Sequence, residues 1–76
     1  MRNMNEEERI KAMQYEIERK IKEIKEKHQT FVIYLPNGLI VADSYEFGKV
    51  FQERIILYRN NIYIAEISIW SIVEIG

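Results

Sequence analysis

The chain has 76 residues, 30% of them charged, a formal net charge of −1 and no Cys. This length supports one domain close to the lower limit for a self-sufficient core. The missing Cys excludes disulfides and thiolate metal sites, and the near-zero charge excludes a chain-wide basic field for polyanions.

No apolar run approaches the ~18 residues needed to span a bilayer. The opening "MRNMNEEERIKAM" lacks the apolar centre of a secretory signal. These features predict a soluble, cytoplasmic protein with no membrane contact. The composition divides near His28. Residues 1–28 carry eight Lys/Arg and seven Asp/Glu, whereas residues 29–76 carry three and five. No internal repeat, low-complexity tract or Ser/Gly linker separates the halves. The expectation is a single domain over 1–76, helical over 1–28 and β over 29–76.

From Asn5 to His28 there is neither Gly nor Pro. Asn3 or Asn5 can cap a helix there, with Glu6, Glu7 and Glu8 at the positive end of its macrodipole. Lys25, Lys27 and His28 stand at the other end. Glu7–Lys11, Glu16–Lys20, Glu18–Lys22 and Glu23–Lys27 have the favourable i,i+4 order, each worth about 0.2–0.5 kcal/mol in an isolated helix. Ile10, Met13, Ile17, Ile21 and Ile24 trace one narrow apolar stripe. Two readings stand side by side. In one, these five residues form an interaction face for another chain. In the other, they lie on the protein's own sheet. The stripe is about 21 Å long at ~1.5 Å per residue. A six-residue strand is about 20 Å long at ~3.3 Å per residue, so one sheet can cover it.

The remainder reads as β. Phe31 to Leu35 forms a strand, Pro36-Asn37-Gly38 a turn, and Leu39 to Ala42 a second strand. Asp43 to Lys49 is the loosest stretch, with Gly48 as its turn or bulge. Val50 to Tyr58 is the third strand, Arg59-Asn60-Asn61 a second hairpin turn, and Ile62 to Ile67 the fourth strand. "SIWS" makes a bend before a short last strand, Ile72 to Ile75. The fold class is therefore α+β: an N-terminal amphipathic helix, then a five-stranded antiparallel, strongly bent sheet in a small SH3-like barrel. The first hairpin is apolar on both faces and needs cover on both. Open edges in so apolar a sheet invite pairing, which predicts a homo-oligomer through sheet edges or the helix.

The helix, the five short strands and "IYLPNG" (Ile33 to Gly38) at the first turn resemble the Sm-like family, its Hfq-like branch above all. "IYIAEISIWSIVEI" (Ile62 to Ile75) resembles that family's Ile/Val-rich last strands. The resemblance implies a subunit-sharing barrel, ring assembly through edge strands, and RNA at a ring face. Three features depart from the family pattern. Ala42 stands where the family bends its second strand at a Gly. "SYEFGKVF" (Ser44 to Phe51) replaces the family's turn before strand three. Ala65-Glu66 stands where the Hfq-like uridine site has a basic Lys-His pair. A carboxylate repels phosphate, so that site does not carry over.

His28, the single His, sits at a helix end, where a cap or solvated position is its ordinary role. His28, Asp43 and one of Ser44, Ser68 or Ser71 have no triad-like spacing, and no nucleophile elbow occurs. Glu53 and Glu66 read as outward strand residues paired with Arg54 or Arg59. Three Gly in the whole chain do not build a phosphate loop. The chain is thus expected to have no catalytic residue, metal or cofactor. It reads as a non-enzymatic, oligomeric small-barrel protein acting as an interaction or assembly module, with an unspecified protein partner. The competing reading is an Sm-like, RNA-binding ring. Its contact set is Tyr45 and Phe47 as exposed rings, with Lys49, Arg54 and Arg59 as the cations of the β half.

Overall fold

A computed structural model of the chain describes residues 3–76. The first element is helix α1, Glu6–Lys25. Asn5 is its cap: the side-chain oxygen accepts the Glu8 N–H at 2.8 Å. The helix ends three residues before the expected boundary at His28. The chain there tightens into a turn in which the Lys27 and His28 N–H groups both bond the Ile24 carbonyl. On the exposed face Lys11 meets Glu7 at 3.5 Å, and Arg19 bridges Glu16 and Glu23, each at 2.9 Å.

Six strands follow: β1 (Phe31–Leu35), β2 (Gly38–Ala42), β3 (Ser44–Phe47), β4 (Arg54–Arg59), β5 (Ile62–Ser68) and β6 (Glu74–Ile75). They form two antiparallel sheets of three strands, ordered β2-β1-β6 and β3-β4-β5. The expected single five-stranded sheet is corrected to this arrangement, and no closed barrel forms among the described residues. The physical reason lies at Asp43. Ala42 still pairs with Phe31 in the first sheet, whereas Ser44 already pairs with Tyr58 in the second. Asp43, half-buried between them, donates its N–H to the Tyr58 carbonyl at 2.9 Å and accepts the Asn60 N–H on its carboxylate at 2.8 Å. Its own carbonyl accepts the Lys25 ammonium. One residue thus ties the helix end, the bend and the β4–β5 turn together.

The third strand is the second correction. Ser44–Phe47, expected as loop, is β3: Tyr45 and Phe47 point inward while Ser44 and Glu46 face out. Val50 and Phe51, expected in a strand, sit in the β3–β4 loop at 84% and 60% exposure. Gly48 sets that loop. Its N–H bonds the Arg54 carbonyl, and a Cβ there would lie 2.3 Å from the Phe51 oxygen. The β4–β5 turn is as expected, with Asn60 and Asn61 at φ 54° and 63°, the left-handed region that a tight hairpin requires. "SIWS" ends in a short 3-10 turn, Ile69–Ser71.

The core is formed by Ile10, Ile17 and Ile21 of α1 with Phe31, Ile33, Ala42, Ile55, Leu57, Ile69 and Ile75. Met13 and Ile24 pack against its margin. The helix stripe therefore lies on the chain's own sheets, as the length match allowed, and this corrects its assignment as a face for another chain. The first hairpin is covered on one side only: Phe31 and Ile33 are buried, while Tyr34 and Leu39 on the opposite face are exposed.

Candidate functional site

The residues of the expected RNA contact set do not converge. Tyr45 and Phe47 are half-buried, not free to stack on bases. The Tyr45 ring meets Phe31 edge-on at 6.2 Å and Phe47 at 5.5 Å. Burial, with the nearby Glu18 carboxylate second, raises the Tyr45 phenol above its ordinary pKa. Arg54 opens β4 and Arg59 closes it, which sets them about 16 Å apart at ~3.3 Å per residue. Arg54 is engaged, 3.5 Å from Glu66. Lys49 projects from the β3–β4 loop. The rings that are exposed are Tyr15, Tyr34, Phe51, Tyr63 and Trp70. Nothing in the local sequence separates these from the buried ones, because an exposed ring and a core ring have the same composition.

What the structure does assemble is an unpaired edge. β5 has β4 on one side and, among the described residues, no strand on the other. Its exposed residues include Ile62 at 67%, Tyr63 at 58% and Ile64 at 39%. The direction of its free backbone groups follows from neighbouring bonds. The Arg54 and Tyr58 carbonyls accept from Gly48 and Asp43, on the β3 side. In an antiparallel pair, residues opposite such positions turn their N–H and C=O away from the shared strand. Ser68, Glu66 and Tyr63 lie opposite Arg54, Ile56 and Tyr58. Their backbone groups accordingly point away from β4; those of Glu66 and Tyr63 face solvent, whereas the Ser68 carbonyl accepts the Ser71 hydroxyl at 2.7 Å. A bulge between Leu57 and Tyr58 leaves Ile64 as an extra residue on β5, which bends the edge locally.

The outer face beside this edge carries the polar interactions. The Tyr58 hydroxyl donates to Glu46 Oε1 at 2.6 Å, and its ring meets Tyr63 edge-on at 6.5 Å. The hydrogen bond to Glu46 is the main cause that raises the Tyr58 phenol, followed by desolvation and the carboxylate charge. The folded-state value is raised, so this contribution to stability is complete below the ordinary tyrosine pKa of ~10 and fades as pH rises through the folded value. An ultraviolet titration should show two late-ionising tyrosines, Tyr45 and Tyr58, of which only Tyr58 moves back toward the ordinary value in Glu46→Gln.

Glu53 and Glu66 play different parts. Glu66 takes Arg54, whereas Glu53 gives its carbonyl to the Ile69 N–H at 2.7 Å. A shallow concavity of about 500 Å³ lies beside the first turn, lined by Leu35, Pro36, Asn37, Gly38, Leu39 and Ser71. It gathers no charged group. Among the described residues, no set of three His, Asp or Glu side chains stands close enough to hold a metal ion. No helix among them is long and apolar enough to cross a membrane.

Comparison with family models, with curated proteins and with solved structures returns no match.

Proposed function

We propose that the chain is a non-enzymatic, cytoplasmic assembly module whose copies join through a free sheet edge. The observation that carries this reading is β5. It is an apolar seven-residue edge strand with outward-pointing backbone groups and exposed Ile62, Tyr63 and Ile64. Native edges are usually short, charged or covered, since a bare one recruits another strand. Pairing it satisfies the orphan N–H and C=O groups and removes apolar surface from water in one step.

The same reading treats the two sheets as one bent meander. β2 and β3 are separated by Asp43 alone, so the strand order runs β6-β1-β2/β3-β4-β5 with a sharp bend in the shared strand. That order leaves β5 and β6 as the terminal edges.

The experiment is solution mass by light scattering over a concentration series. The wild type is expected at a multiple of the 9.2 kDa chain. Ile64→Lys places a charge on the edge and is expected to shift the mass to one chain while the circular dichroism spectrum is unchanged. A wild type that stays a single chain throughout the series overturns the proposal.

A further inference from the structure

The geometry points to β5 as a self-complementary edge. Two copies of the chain pair β5 against β5, antiparallel, about a two-fold axis passing within the stretch Ile64–Ser68. The result is a dimer with one continuous sheet ordered β3-β4-β5-β5-β4-β3. This inference rests on the assembly reading above and adds the partner strand and the symmetry.

Residues directly opposite each other in an antiparallel pair put their side chains on the same face. The outward backbone groups of β5 that are open to a partner strand belong to Glu66 and Tyr63, since the Ser68 carbonyl is taken by the Ser71 hydroxyl. Glu66 and Tyr63 are exposed on the outer face, away from the core that receives Ile55 and Leu57 of β4. A second β5 offers the same residues on the same face, so the two edges match when related by a two-fold axis.

The other terminal edge does not match. β6 has only two residues, Glu74 and Ile75. Gly76, just beyond it, exchanges both backbone bonds with Val32, at 2.8 and 2.9 Å. Alternation along the strand then leaves Ile75 as the residue whose groups point outward. Ile75 is 7% exposed and faces the core. A head-to-tail joint of β5 to β6 would set outer-face Glu66 opposite inward Ile75, and it would gain little length of pairing.

Charge permits the symmetric arrangement. Near the axis the two Glu66 carboxylates approach each other, and like charges across a strand pair are destabilising. Arg54 stands 3.5 Å from Glu66 within each copy. Across the joint the row reads Arg, Glu, Glu, Arg, with each carboxylate already offset by its own guanidinium. The bulge at Ile64 restricts where the axis can fall, since it changes the alternation on its N-terminal side.

The test uses the absence of Cys in the chain. Single-Cys variants are made at Ile64, Ala65, Glu66, Ile67 and Ser68, with Lys49→Cys as an exposed control away from β5. Only a two-fold axis brings a residue against its own copy. The ~4.5–5.5 Å Cα spacing of opposed residues then suits a disulfide. One or two adjacent positions are expected to form a covalent dimer at least tenfold faster than the control, and the wild-type mass is expected at two chains. A mass of three or more chains, or no position exceeding the control, overturns the symmetric pairing and leaves the assembly reading standing. A single-chain mass overturns both, including the case in which a foreign extended peptide is what binds the edge.

Discussion

Ile17→Ala combined with Ile21→Ala is expected to unfold the chain at room temperature. Both side chains are essentially sealed, at 1% and 2% exposure, between α1 and the two sheets. Truncating a buried Ile costs about 2–5 kcal/mol through lost transfer energy and the cavity left behind. A domain of this size has a total stability of roughly 4–11 kcal/mol, at ~0.05–0.15 kcal/mol per residue. Two such losses on one helix face consume most or all of it. Helical circular dichroism against urea checks this: each single variant should lower the midpoint steeply, and the pair should show no folded baseline. Lys20→Ala, on the exposed face, should stay within about 0.5 kcal/mol of wild type. The outcome that would refute this account is a double variant that keeps its fold and loses only its assembled mass. That result would make the stripe an intermolecular seam.

Phe31→Ala is expected to be the most damaging single truncation in the β half, costing about 3–5 kcal/mol. Phe31 is fully buried and is the large partner in a large-small pair, opposite Ala42 in the hairpin register. Its ring also meets Tyr45 edge-on, linking the first sheet to the second across the bend at Asp43. Removing it leaves a void that Ala42 cannot fill, and Tyr45 loses the surface that positions it. The loss should therefore appear twice: as a lower urea midpoint, and as a weakened near-ultraviolet circular dichroism signal from Tyr45 in whatever folded fraction remains. Phe31→Leu should cost clearly less, because it retains most of the buried volume. Equal losses for Leu and Ala would mean that the ring contact with Tyr45, rather than filled volume, dominates at this position.

The elements that were legible in advance share a local cause. The Asn5 cap, the acidic first turn of α1 and the 3-4 spacing of its Ile and Met residues are interactions within one or two helical turns. The two hairpins depend on turn residues whose preferred φ is a property of the residue itself, as at Asn60 and Asn61. The stretch from Asp43 to Gln52 is the opposite case. Its punctuation, an Asp and a Gly, suggested a loop, yet Ser44–Phe47 alternates with period two and pairs with β4. Val50 and Phe51 are as apolar as strand residues and are nonetheless exposed. Burial there is decided by partners far along the chain, which local composition does not encode.

By itself the amino-acid order determined an N-terminal amphipathic helix, two tight hairpins, and more apolar strand surface than one short helix covers. These follow from backbone preference and periodicity, which act over a few residues. Only the tertiary structure decided that the helix stripe lies on its own sheets, that Tyr45 and Phe47 are packed rings, and that β5 is the edge left bare. Each of those depends on which distant strand occupies the neighbouring position, and pairing in a sheet is set by contacts that span the whole chain.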